Sequence, residues 1–317
     1  MKGQVRAFAL CVLLAGAACV PPQAEDDFIR DFDPETTVMG QVQTAGVLRV
    51  GVPNDGNGGG PWFFQEGEIG EADADDVVGY GPDFAELVAG RLGVETEVTA
   101  APSEDLLEML EDDSIDLAFP LIPITEKTVR RNSFTDPYFV VHQRLLGPPG
   151  VGGLADLDGA TVCRSHFEET SIDPAELNPS VDSVGGFCFG GLLEAQVEAV
   201  SGPSVLLIAE VMQIENLCEQ NPDRRERVLR EAHERLCEGT GSAYSISGDQ
   251  LTTEGLGAAV ERGASGWLEF VNGVLSEAKR DGEWAEIYSR YLEPYLGPAE
   301  PPDITVEEAA ALYPSDL

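Results

Sequence analysis

Asp55, Asn57, Gly60 and Glu66 stand at positions one, three, six and twelve of a calcium-binding EF-hand spacing, within GVPNDGNGGGPWFFQE (51–66). Oxygen ligands at those positions, with a glycine at the sharp turn, are what a hard divalent cation requires. Against calcium, Gly59 occupies a ligand position, Pro61 sits in mid-loop, and a β-branched run rather than a helix leads in. A phosphate cradle is excluded too, because no Gly-Lys-Ser/Thr ending follows. A third possibility is the rim of a pocket. The glycines permit close backbone approach, and Trp62 or Phe64 offers a stacking face; the alternative is that these rings pack beneath the loop.

A second polar group, Arg164, His166, Glu168 and Glu169, follows the run ATVCR. A cation, an imidazole and paired carboxylates at a strand end could hold a polar ligand, or do acid–base work if buried. The alternative is a surface loop with a local ion pair worth little. His142, His166 and His233 are too scattered to chelate a metal. Glu71–Asp76 (EADADD) reads as a solvated hairpin tip. The chain has no Gly-x-Ser-x-Gly, His-Glu-x-x-His or Cys-x-x-Cys motif, so the expectation is no metal, no cofactor and no catalysis.

The six cysteines divide by position. Cys11 lies in an uncharged run, Ala7–Ala18, behind Lys2 and Arg6. That run is too short to span a bilayer and reads as a signal peptide over 1–18. It ends LLAGAAC, which resembles a bacterial lipobox, and the resemblance makes Cys19 the lipid-bearing first residue of the mature chain. Residues 19–43, acidic and proline-rich at their start, then read as a tether holding the folded part off a membrane. Cys163, Cys188, Cys218 and Cys237 remain, an even number in an exported chain, so two disulfides are expected. Three pairings are possible; the shortest loops join 163 to 188 and 218 to 237. A four-cysteine zinc site would need close pairs that this spacing lacks.

With 57 acidic against 19 basic residues the formal net charge is −38, and nucleic acid is excluded as a partner because phosphate requires a positive footprint. At 317 residues and 43% apolar content the chain can bury a substantial core, and its length suggests about two domains.

The elements that must position the polar groups alternate. GVLRVGV and VETEVTA read as strands around a helix, GPDFAELVAGRLG, whose Phe84, Leu87, Val88 and Leu92 share a face and whose Gly93 stops it. SEDLLEMLEDD predicts a helix capped by Ser103, followed by a strand, IDLAFPLI. LGPPGVGG (146–153) breaks the pattern and is the expected crossover into a second lobe. There ATVCR, SVDSV and QVEAV read as strands, GGLLEA and PSVLLIAEVMQIENL as helices, and RRERVLREAHERL as an exposed helix or a helix followed by a strand. The chain is expected to cross back near GSAYSISG. Two aromatic helices close it, with Trp267, Phe270, Val271, Val274 and Ala278 on one stripe and Trp284, Ile287, Tyr288 and Tyr291 on the next. Alternation of this sort means parallel α/β sheets.

In this order the pieces resemble the bacterial extracellular solute-binding proteins of family 3, the polar amino-acid family. The resemblance runs from GVLRVGV through GYGPDFAELVAGRLGVE, IDLAFPLIPITEK…SFTDPYF and LADLDGATV to WLEFVNGVLSEAKRDGEWAEIYSRYL. It implies an α/β, two-lobed periplasmic binding protein (type II) fold, each lobe a mostly parallel sheet flanked by helices, with two crossover strands. The expected boundaries are 44–147 for lobe 1, 148–243 for lobe 2, 244–298 for the return to lobe 1, and 299–317 for an acidic tail. It implies a monomeric lipoprotein on the periplasmic or extracellular face that passes a small polar solute to an ABC transporter permease. A cyclohexadienyl-dehydratase-like enzyme and a sensory domain without transport are the alternatives.

The residues that hold an α-amino acid in the family are replaced. Its hydroxyl positions fall on Pro120, Leu121 and Pro123, and its arginine on Thr128, unless Arg130 or Arg131 takes that role through a small register change. Its Gly-Thr-Thr turn falls on Phe167, Glu168 and Glu169, and its ammonium-binding aspartate on or near Pro203. An α-carboxylate needs a bidentate cation and several donors. The candidate ligand-binding set is therefore Asn54, Asp55, Trp62, Phe64, Leu121, Thr128, Arg164, His166 and Glu169, and the expected ligand is not an ordinary amino acid.

Overall fold

The computed structural model describes residues 30–53, 64–65, 77–165, 172–186, 188–219, 227–239 and 241–312, with the backbone alone at 64, 65 and 77. The expected signal peptide, Cys19 and most of the expected tether lie outside them. The part of that tether that is described is not all tether. Residues Val38–Ala45 form helix α1, capped by the Thr37 hydroxyl, and bury Met39 and Val42 in the core.

The first lobe is built on β1 (Val47–Pro53), whose Leu48, Val50 and Val52 are fully buried. The alternate Gly51 is required by packing, since a Cβ there would meet Ile115 and Leu106 side chains at 2.6 and 2.7 Å. A short antiparallel pair, β2 (Phe64–Gln65) and β3 (Val77–Val78), leads to α2 (Tyr80–Leu92), which presents Phe84, Val88 and Leu92 to the sheet and ends at left-handed Gly93 as expected. Then come β4 (Glu95–Ala101), α3 (Ser103–Glu111) and β5 (Leu117–Ala118). The strand expected across IDLAFPLI is cut to two residues because Pro120 and Pro123 cannot donate to a ladder. Ser103 is not the cap of α3 but its first residue, behind Pro102; its Oγ accepts from the Leu121 N–H at 3.2 Å.

Strands β6 (Ser133–Phe134) and β7 (Phe139–Val141) follow, and β8 (Gln143–Gly147) already belongs to the second sheet. The chain therefore crosses at His142, ahead of the Pro/Gly stretch, which is a turn behind β8. The second lobe continues with β9 (Thr161–Arg164), α4 (Pro174–Leu177), β10 (Asp182–Gly185), α5 (Cys188–Leu193), β11 (Ala199–Pro203) and α6 (Ser204–Glu219). Strand β11 lies later than the expected QVEAV. Helix α7 (Arg227–Leu236), β12 (Cys237–Glu238), β13 (Gly241–Ser242) and β14 (Ser245–Ile246) complete this lobe.

The return crossing occupies 247–253, before β15 (Glu254–Leu256) and β16 (Ala259–Val260). Helices α8 (Ser265–Asp281) and α9 (Glu283–Tyr291), joined through left-handed Gly282, bury the two expected aromatic stripes, with Phe270 and Tyr291 only partly covered. After α10 (Glu293–Leu296), the expected acidic tail folds back as α11 (Val306–Leu312), which packs on β15 through fully buried Ala309.

The sheet orders are β4-β1-β5-β16-β6 and β10-β9-β11-β8-β14. Within each, four strands run in one direction and one runs against them, β16 in the first sheet and β8 in the second. In lobe 1, Tyr138 is ringed by Tyr80, Phe84 and Phe119. Its carbonyl accepts the Trp284 indole N–H at 2.6 Å. The Arg49–Asp116 ion pair at 2.6 Å and the Trp267 indole donating to the Asp116 carbonyl at 2.8 Å tie β1 to α8.

Disulfides join Cys163 to Cys188 and Cys218 to Cys237, the pairing the shortest loops favour. Their sequence separations are 25 and 19 residues. Closing loops of this size restricts the unfolded chain by roughly 3 kcal/mol each. Peptide mapping without reduction should recover these two pairs and no others, and reduction should lower the unfolding midpoint. A third pairing, or a midpoint indifferent to reductant, would contradict this arrangement.

Candidate functional site

The sheets meet where the chain crosses between them, and the crossings are laced together. His142, on the outward crossing, donates from Nδ1 to the Thr252 carbonyl at 3.0 Å. The Thr252 hydroxyl accepts from the Gln143 N–H at 3.1 Å and donates to Glu254 Oε1 at 2.8 Å. The Leu251 N–H donates to the Gln143 carbonyl, and the Ser204 N–H, at the start of α6, to the His142 carbonyl, both at 2.8 Å. Backbone groups that a crossing would otherwise expose to a dry interface are thereby satisfied.

Beside this lacing lies an interlobe cavity of about 10 Å³, room for about one water. Leu121, Pro123, Val141 and Leu256 of the first lobe line it opposite Pro203 and Val205 of the second, and Glu254 completes the wall. Val205 and Ile208 of α6 join the apolar cluster of lobe 1, so the first turns of that helix belong to both lobes.

Glu254 is 3% exposed, and its Oε2 finds no hydrogen-bond partner among the described residues. Burial raises its carboxyl from the ordinary 4.5 to about 7, against the smaller opposing effect of the Thr252 hydroxyl. Glu210 on α6 is in the same condition: 2% exposed, with Oε2 unpaired and raised by burial to about 7. Burial lowers His142, against the pull of the Thr252 carbonyl, so its ring favours the neutral form.

The expected ligand residues divide into three groups. Asn54, Asp55, Trp62, His166 and Glu169, with Glu168, lie outside the described residues, as does the side chain of Phe64, whose backbone pairs with Val78. Leu121 is buried on the cavity wall. The other two turn elsewhere. The Thr128 hydroxyl donates to the Pro123 carbonyl at 2.9 Å and accepts from the Thr125 N–H at 2.9 Å, so it closes its own turn. Arg164 pairs with Asp173 at 3.8 Å. Arg130 and Arg131 are exposed, and Arg130 reaches Glu126 on its own turn. His142, Thr252 and Glu254 had no signal of spacing in the sequence. The described residues contain no cluster of three or more potential metal ligands, and no described helix is long and apolar enough to cross a membrane.

Two α/β lobes, twice connected and with a cavity at their junction, define a type II periplasmic binding protein. The chain belongs to the bacterial extracellular solute-binding proteins, family 3, whose sequence profile matches residues 69–294. It is 24% identical over 224 residues to the ABC transporter glutamine-binding protein GlnH of Bacillus subtilis (strain 168), covering 69% of this chain and 74% of that protein. It is 22% identical over 222 residues to a probable histidine-binding protein of Neisseria gonorrhoeae, covering 68% and 75% respectively. Among solved structures, an ancestral arginine-binding protein bound to arginine aligns with a TM-score of 0.53 and 26% identity, over 78% of this chain and 98% of that one.

The buried carboxyls set a pH dependence. Glu210 and Glu254 stay protonated in the folded chain at pH values where the unfolded chain has released those protons. The stability they contribute is complete below about 4.5 and is lost as pH rises to about 7. Glu210→Gln should raise the unfolding free energy at pH 8 by roughly 1–3 kcal/mol and flatten the fall across that window. Denaturant titrations from pH 4.5 to 8 measure both; an unchanged slope would show that Glu210 ionises freely in the folded chain.

Proposed function

We propose that this chain is an extracytoplasmic solute-binding lipoprotein, anchored through Cys19, that captures a small polar solute other than an ordinary α-amino acid and delivers it to an ABC transporter permease. Family membership supports solute binding and a location outside the cytoplasm. The relatives named for glutamine and histidine and the arginine-bound ancestor place amino acids first among the ligands to test. One observation carries the departure from them. Leu121, at a hydroxyl position of the family pattern, and Pro203, on or near its aspartate position, lie on opposite apolar walls of one cavity. Thr128, at the arginine position, spends its hydroxyl on the adjacent turn. An ammonium and a carboxylate entering that cavity would lose water without gaining the usual partners.

Thermal unfolding of the purified mature chain against amino acids, amines, organic acids and sugars tests this reading. A solute at about a hundred times its Kd adds roughly 2.7 kcal/mol. The expected result is stabilisation by a compound that is not an α-amino acid, and strong stabilisation by common amino acids alone would refute it. Intact mass of the membrane-extracted protein should show a diacyl or triacyl modification at Cys19, lost in Cys19→Ala; an unmodified N-terminus at another residue would remove the anchor.

A further inference from the structure

Among the described residues, Glu254 is the one polar side chain in the cavity wall. Pro123 and Pro203 have no N–H to offer. The Leu121 N–H is already given to Ser103 Oγ, and the Ser204 N–H at the head of α6 to the His142 carbonyl. The side chains of Leu121, Val141, Val205 and Leu256 are apolar. Set into this wall is one carboxyl group, held by Thr252 at one oxygen and bare at the other among the described residues. A cavity with an acceptor and such apolar surroundings is suited to a donor that carries positive charge. Its volume, about 10 Å³, is that of a single small polar group, water or –NH₃⁺. The chain's formal charge of −38 raises the local concentration of cations and lowers that of anions.

We propose that this cavity seats a primary ammonium group on the Glu254 carboxylate, so that the solute is an amine carrying no α-carboxylate. The inference rests on the solute-binding reading and narrows it to a chemical class. Thr252 is the positioning residue, because its hydroxyl holds one carboxyl oxygen and leaves the other without a partner among the described residues. The apolar residues opposite exclude water, so the ion pair is not screened. A quaternary ammonium lacks the N–H that the carboxylate would accept.

Calorimetric titration of the mature full-length chain with 1,4-diaminobutane and ethanolamine tests the proposal, with 1,4-butanediol, tetramethylammonium and succinate as the neutral, quaternary and anionic comparisons. Primary amines are expected to bind the unaltered chain, and the comparison compounds are not. Glu254→Gln keeps the shape and removes the charge, and should weaken amine binding by about 30-fold or more. Thr252→Val, which leaves the carboxylate but frees it to turn, should weaken it less. Because burying a neutral amide costs less than burying a carboxylate, Glu254→Gln should unfold at or above the temperature of the unaltered chain at pH 8, which separates lost binding from lost folding. Equal binding of an amine by Glu254→Gln and the unaltered chain would overturn the assignment, and so would preference for the diol or succinate, while solute binding itself would stand. Failure of every compound in the wider solute panel to bind would overturn both readings together.

Discussion

The two crossings at the junction of the lobes are joined through Thr252. Thr252 accepts from one crossing, at the Gln143 N–H, and donates to the carboxyl group on the strand that ends the other. Its carbonyl, in turn, holds the His142 ring. His142 and Gln143 are thus held in one network with Thr252 and Glu254, more than a hundred positions away in the chain, where a protein interior makes each hydrogen bond worth more and each missing one costlier. A relative rotation of two lobes is absorbed by a few residues at such crossings. Here those residues also carry the polar groups beside the cavity, so hinge geometry and carboxyl placement change together.

The strand that bears Glu254 is braced from behind. At Gly255 a Cβ would meet Pro137 and Ala309, each at 2.8 Å, so α11 packs closely against β15. The first amide of α11, Val306 N–H, donates to Asp136 Oδ1 at 2.9 Å, while Asn272 of α8 donates to the other oxygen of that carboxylate. The segment read from sequence as an acidic tail is thus a buttress for the inner wall of the junction. The closing helices complete the support on the same lobe, through Lys279 donating to the Pro137 carbonyl at 2.6 Å.

What the sequence disclosed follows from how local each signal is. Leu48, Val50 and Val52 alternate within seven residues, and Trp267, Val271, Val274 and Ala278 recur at helical spacing, so β1 and α8 are visible without the rest of the fold. The disulfide pairing was legible because loop closure favours near partners. The outward crossing was not, because QRLLG has an ordinary strand pattern whichever sheet it joins, and Pro148 and Pro149 punctuate the chain more strongly than His142 does. Residues Val38–Ala45 offer only two buried apolar side chains and a glycine, too few to reveal α1. Glu254 stands between threonines and glycine, with no pattern of its own. Its burial is decided by Val141, Pro203 and Val205, all more than forty residues away.

Both covalent links fall in the second lobe, and the tryptophans seen in the described residues, Trp267 and Trp284, fall in the first. One half is filled by large rings, and the other is stapled around a core in which Cys163, Cys188 and Cys218 are themselves buried. Sulfur oxidation is denied to most chains inside a cell and available outside it. Both links therefore need an oxidising compartment to form, and α6, which supplies Val205 to the junction, is tied at Cys218 to Cys237 only under such conditions.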